Sequence, residues 1–243
     1  MTGEEFLAAY PEQPSPARDS LVLESIHDGT LHVDFAQVRS DFRGRHLTLN
    51  VTADAIYAEM VDGSRFRPMC SARLLQLAAD LTGCVLPTEL VSDLIWDQAT
   101  VRLSPHFFPP GAEMVTKARS VAYNAAVEKE RAGRTGLLAN VGKLWVLSSR
   151  ANARHGAATN YGWHGSGSAV NGVKLLDTHH GYRVVQPLAT AHDHSHEDYS
   201  QVMLLVGGEC ELDGEVKKTL DVMQDPSINE MISYEQVFPV RQF

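Results

Sequence analysis

Between Gln186 and Val206 the chain reads Gln186-Pro-Leu-Ala-Thr-Ala-His192-Asp193-His194-Ser195-His196-Glu197-Asp198-Tyr199-Ser200, and then runs into the apolar stretch Gln201-Val-Met-Leu-Leu-Val206. Imidazoles, carboxylates, a phenol and hydroxyls crowd into a dozen residues ahead of a strand-like run. Two further groups precede it, Tyr161-Gly162-Trp163-His164 and the pair His179-His180. Counting His155, seven of the eleven histidines lie between 155 and 196, which singles out this third of the chain as the place for chemistry.

Two chemistries fit these residue types. In an extended segment alternate side chains point the same way, so His192, His194 and His196 could clasp one divalent ion such as zinc. His164 or His179 would then add a ligand, and Asp198 would ligate or orient an imidazole. No HExxH or comparable signature accompanies them, and a solvated polar loop is the plainer reading. Without a metal, His192 or His164 could act as general base. Asp198 would fix its tautomer, and Ser200 or Tyr199 would supply the hydroxyl that is deprotonated or that faces an oxyanion. Such constellations are recognised by geometry rather than by order in the chain. There is no G-x-S-x-G elbow.

Tyr161 and Trp163, two apart on an expected strand, would face one way and could wall a sugar ring or acyl chain, although core packing is the commoner fate of such a pair. Lys143 opens an apolar strand, where a buried ammonium could serve as a base. Gly165-x-Gly167 falls short of a dinucleotide-binding pattern.

The elements that must position these groups follow from pattern and punctuation. Residues 1–20, with Pro11, Pro14 and Pro16 among charges, suit a mobile arm, and residues 21–243 read as one domain. Leu21–Leu23, Leu31–Phe35, Leu47–Val51 and Ala55–Met60, separated by Asp28-Gly29, Gly44 and Asp62-Gly63, predict an antiparallel meander. Three helices follow. Ser71 caps the first and Gly83 ends it, the second starts near Pro87-Thr88, and the third runs from about Ala118 to Gly133. Extended runs return at 144–147, 160–163 and 173–176. Val202–Val206, a Gly207-Gly208 turn and Glu209–Asp213 predict a hairpin, with a short helix at 215–223. The fold class is α+β, with antiparallel strands before and after a central group of about three helices.

Leu86-Pro-Thr88, Tyr161-Gly-Trp-His164, Gln186-Pro-Leu-Ala-Thr190 with His192, and Asp198-Tyr-Ser200 before a strand together resemble the layout of a group of bacterial hypothetical proteins, over about residues 45–225. That group has no established activity, so the resemblance implies positions and no reaction. In its layout the counterparts of His164, His192, Asp198, Tyr199 and Ser200 recur, with a lysine near the place of Lys143. This chain departs from it with Gln201 where a histidine follows Asp-Tyr-Ser, and with the additional His194 and His196.

Composition narrows the partners. A formal charge of −9 with scattered basic residues offers no patch for a phosphate backbone, so nucleic acid is not expected. No apolar run reaches the roughly 20 residues that span a bilayer, and the start lacks a secretion signal, so no membrane partner and a cytoplasmic location are expected. Cys70, Cys84 and Cys210 suggest neither a disulfide framework nor a thiolate zinc site. The leading expectation is a hydrolase acting on an amide or glycosidic bond of a small-molecule or polymeric substrate, for example from cell wall. It would use His164, His192, Asp198, Tyr199, Ser200 and Lys143, with Tyr161 and Trp163 binding substrate. The alternatives are a structural or assembly protein, which as a homo-oligomer would pack its histidine loop at a subunit contact, and a metal-dependent binding module.

Overall fold

The computed structural model describes residues 1–153, 156–236 and 238–241; His155 lies outside them. The fold is α+β, with helices interspersed among antiparallel strands rather than gathered in the middle. Helices α1 (Gly3–Ala9) and α2 (Pro16–His27) come first, then α3 (Ala72–Thr82), α4 (Glu89–Gln98), α5 (Lys117–Arg131) and, near the end, α6 (Thr219–Gln224). Among the described residues no helix is long and apolar enough to cross a membrane.

The three expected helices start where a side chain can satisfy an otherwise free backbone N–H. Ser71, Thr88 and Thr116 accept from Leu74, Val91 and Arg119 at 3.1, 3.2 and 3.1 Å. Gly83, with φ of 67°, closes α3 in the left-handed conformation that a side chain would disfavour.

The N-terminal residues differ from the expected loose arm. Thr2 and Glu5 form a reciprocal capping box for α1, and Ser15 with Pro16 starts α2. Leu21–Leu23, expected as extended, are therefore helical. The prolines break the segment into two helices rather than leaving it free, because each has something to bury. Phe6 and Tyr10 pack with Phe66, at ring separations of 6.3 and 5.4 Å. Arg18, fully buried, donates to Glu197 Oε1 at 2.6 Å, to the Pro11 carbonyl at 2.8 Å and to the Val115 carbonyl at 3.2 Å. This contact ties α2 to the segment between His196 and Asp198. Arg18→Ala should lower stability by about 3 kcal/mol, because it strands a buried Glu197 carboxyl. A urea-unfolding midpoint indistinguishable from wild type would refute that role.

Two four-stranded antiparallel sheets carry the rest. In the first, the order is β8-β7-β2-β1, with β1 at Phe35–Phe42, β2 at Arg45–Thr52, β7 at Val206–Leu212 and β8 at Glu215–Lys218. The expected turn at Gly207-Gly208 is instead interior to β7, and the reversal comes at Asp213-Gly214. A Cβ on Gly208 would lie 2.0 Å from the Gly83 carbonyl oxygen, so the glycine serves close backbone approach.

The second sheet has the order β5-β6-β4-β3, with β3 at Lys143–Val146, β4 at Ala157–His164, β5 at Leu176–Asp177 and β6 at Arg183–Asp193. Every residue of β3 and β4 is buried, one hydrophobic cluster joining this sheet to helices α1 to α5. Residues 200–202 extend the sheet beyond β3, because Lys143 pairs in parallel with Gln201.

Candidate functional site

Strand register decides which side chains share a face. Trp145 pairs with Asn160, Asn160 with Ala189, and Ala158 with His192. Directly opposed residues project to the same side. Lys143, two residues from Trp145, projects with it, as does Gln201 opposite Lys143. Lys143, Trp145, Asn160, His192 and Gln201 therefore occupy one face. His196 joins them across the turn Asp193–Ser195, its ring stacked on His192 at 3.8 Å and 9° and lying edge-on to Trp145.

Asp198 is the centre of this group. Its Oδ1 accepts from the Ser200 backbone N–H at 2.8 Å and from the Ser200 hydroxyl. Its Oδ2 faces Lys143 Nζ at 3.6 Å and His196 Nε2 at 3.5 Å. Those separations are too long for good direct hydrogen bonds and leave no room between the groups, so an oxygen atom of water or substrate would meet all three from the side. Burial alone would raise the Asp198 pKa, but His196, Lys143 and Ser200 together outweigh it and hold the carboxyl well below the usual range. Lys143 Nζ also stands 5.3 Å from the centre of the Trp163 ring, a cation–π contact. His192 is half-buried. Burial first, and then the charges of His196 and Lys143, lowers its pKa, so it is neutral at neutral pH.

The turn that carries the histidines is pinned from outside. His194 donates its N–H to the Gly156 carbonyl at 2.8 Å, and its carbonyl accepts from Arg73 at 2.9 Å. Its Nδ1 lies 3.1 Å from the same Gly156 oxygen. His192, His194 and His196 therefore do not converge as three ligands. β6 ends at Asp193, so the expected alternation gives way to a turn that brings positions 192 and 196 together. Stacked rings aim their in-plane lone pairs along parallel planes rather than at one point. Among the described residues no group of three or more His, Cys, Asp or Glu side chains is arranged to hold a metal ion.

His164 belongs to a second cluster. The expected meeting of the Trp-His corner with the histidine segment occurs only as strand pairing: β4 and β6 are neighbours, but His164 pairs with Val184, whereas His192 pairs with Ala158. Six residues of strand separate the two positions, roughly 20 Å. His164 Nε2 instead lies 2.6 Å from Asp93 Oδ1, which also accepts from the Tyr161 hydroxyl at 2.8 Å; Asp93 Oδ2 accepts from the Tyr234 hydroxyl at 2.9 Å. Trp96 stacks on His164, and His180 stacks on Tyr234. Asp93 and His164 are buried, so this cluster knits α4, β4 and the segment around Tyr234 together.

Tyr161 and Trp163 form no common wall. Gly162 and Trp163 both take positive φ, 129° and 61°, which breaks the alternation. Tyr161 goes to Asp93, and Trp163 to Lys143 and Phe107. The Tyr199 hydroxyl accepts from the Phe108 N–H at 2.9 Å while its ring packs on Phe108 and Tyr123, away from Asp198. Ser200 is buried and spends its hydroxyl on Asp198, with no imidazole to activate it.

Sequence reasoning did not single out Asn160, Asp93, Tyr234 or Glu89. A carboxylate beside the apolar stripe Leu90-Val91-Leu94-Ile95, and an asparagine between Ala157-Ala158 and Tyr161-Gly-Trp163, were the available signals. Glu89, one turn before Asp93, has its carboxyl pushed up to about 7 by burial and by the Asp93 charge, with Arg150 opposing. The native state therefore keeps a proton that the unfolded chain loses near 4.5. Between these values the folded form binds more protons, so this group's contribution to stability falls as pH rises. Glu89→Gln should flatten that part of the stability profile, measured by urea unfolding at pH steps across the window. An unchanged slope would contradict the assignment.

No match was found among protein-family models, curated proteins or solved structures. The functional reading rests on the geometry of the two clusters. Both have ionisable groups that reach the surface, His192 and His196 beside Asp198 and His180, Tyr234 and Glu89 beside Asp93, but the one around Asp198 brings an ammonium and an imidazole to a single carboxylate oxygen.

Proposed function

We propose that the chain is a hydrolase that cleaves an amide bond with a water molecule placed among Lys143, His196 and Asp198. The observation that carries this reading is that Lys143 Nζ and His196 Nε2 approach the same carboxylate oxygen, Asp198 Oδ2, at 3.6 and 3.5 Å. His196 Nε2 takes a proton from water as the water oxygen attacks the carbonyl carbon. Lys143 Nζ faces the oxygen on which negative charge develops. The C–N bond then breaks, and His196 returns the proton to the leaving amine, so that water is divided between acid and amine products.

Asp198 stays ionised throughout, its Oδ2 placed to stabilise the imidazolium once Nε2 has taken the proton. His192 holds the His196 ring plane by stacking, and its neutrality keeps a further positive charge away from Lys143. The amide reading is favoured over the glycosidic one because cleavage of a glycoside ordinarily needs a protonated carboxylic acid facing a second carboxylate. Here Asp198 is held ionised and Asp193 is exposed on the turn, while Glu197, although burial pushes its carboxyl up to about 7, is turned to Arg18 and faces no second carboxylate at the site among the described residues. His192 and His196, half-buried, are the part of the site nearest solvent.

Incubating the protein with a panel of N-acyl amines in heavy-oxygen water tests the reading. Amine release with one heavy oxygen in each acid product is expected. Release of reducing sugar from glycans, with every amide left intact, would count against it.

A further inference from the structure

Resting on the hydrolase reading, the same face also points to what the substrate must carry. Gln201 Oε1 accepts from the Asp198 N–H at 2.8 Å, which fixes the orientation of the amide and leaves Nε2 as a buried donor with no protein partner. Asn160, 1% exposed, has neither amide atom hydrogen-bonded to protein, and His196 Nε2 is likewise without a direct hydrogen bond. Among the described residues twelve buried side-chain polar atoms lack a protein partner, and four of them belong to these three residues of one face. The other eight are spread over eight residues elsewhere, whereas these four share one face.

The kinds of unpaired group are unequal. Lys143 Nζ, Gln201 Nε2 and Asn160 Nδ2 are donors on offer. The acceptors are Asn160 Oδ1, His196 Nε2 as the base, and Asp198, whose Oδ1 is already taken twice by Ser200. A buried donor without a partner costs about 1–3 kcal/mol. A neutral amide, bringing one donor and one acceptor, would leave most of this excess unmet. A carboxylate brings only acceptors, and a negative charge toward Lys143.

We infer that the substrate carries a carboxylate next to the scissile amide, as an N-acyl amino acid or the C-terminal residue of a peptide does, and that Gln201 and Asn160 receive it, with Lys143 nearby to favour its charge. The stacked His192–His196 pair is the half-buried part of the face, the side nearest solvent from which such a ligand would come. Its carboxylate takes the donors of Gln201 and Asn160, which leaves the neighbouring amide carbonyl toward Lys143 and His196.

Levulinate tests this directly, because it matches N-acetylglycine in shape but has no amide to cleave; its methyl ester removes the charge. Ring signals of His192 and His196 are followed by NMR during titration of each compound. Levulinate should shift both signals saturably, and the ester should bind at least about tenfold more weakly, the loss of a charge-assisted contact. Gln201→Glu keeps the acceptor for the Asp198 N–H but turns the donor into a carboxylate oxygen, and Asn160→Asp does the same at its position. Each should weaken levulinate by a similar factor, with circular dichroism confirming the fold. Equal binding of acid and ester, no saturable levulinate binding, or wild-type affinity in Gln201→Glu would overturn the inference. Turnover of neutral amides without levulinate binding would overturn it and leave the hydrolase reading standing. Levulinate binding without cleavage of any amide would uphold the carboxylate site and remove the hydrolase reading.

Discussion

Lys143→Met should cut kcat/KM for amide cleavage by about 10²–10³-fold, the usual effect of removing one donor from a developing oxyanion. The ammonium lies 3.6 Å from Asp198 and over the Trp163 ring, on the face where His196 presents Nε2. Methionine keeps most of the volume of the buried stem, so the loss falls on charge rather than on packing. Asp198 retains its bonds from Ser200 and its contact with His196, which limits the stability cost. Steady-state kinetics beside a near-ultraviolet circular dichroism spectrum check this. Wild-type kcat/KM in a folded variant would remove Lys143 from the reaction.

Asp93→Ala should be the most destabilising single change among the residues discussed, by about 3–5 kcal/mol, because it leaves a buried pair broken and two hydroxyls without an acceptor. His164, Tyr161 and Tyr234 come to this one carboxylate from β4 and from the segment after α6. Burial first, and then the Asp93 charge, pushes both tyrosine hydroxyls far above their ordinary range, so they remain neutral donors. Asp93→Asn keeps an acceptor and should cost clearly less. Urea unfolding of both variants measures the difference. Equal midpoints for alanine and wild type would show that the cluster contributes nothing to the fold.

The contrast between these clusters shows what could be read from the chain and what could not. The helices after Ser71, Thr88 and Thr116 were legible because caps and apolar spacing act over a few residues. The first twenty residues were not, because the partners that order them, Phe66 and Glu197, lie far along the chain. Lys143, His192 and Asp198 were candidates from residue type alone, and the structure gathers them with His196. His164 had equal standing in the sequence, yet register carries it to Asp93 at the far end of the strand. Spacing along a chain does not reveal which end of a strand a residue will occupy once it pairs. Positive φ at Gly162 and Trp163 likewise undid the simple alternation that placed Tyr161 and Trp163 together.

His164 was a catalytic candidate in the sequence and His196 a metal-ligand candidate; the structure has His164 holding a helix to a sheet, and we place His196 at the reacting centre. Rates of amine release from N-acyl amino acids by His196→Gln and His164→Gln, each normalised to folded protein, separate those roles most directly. His196→Gln should lose about 10²–10⁴-fold in kcat, the range for a general base, while His164→Gln keeps the wild-type kcat and loses only stability. Full turnover by His196→Gln, or a collapse of kcat confined to folded His164→Gln, would contradict the account.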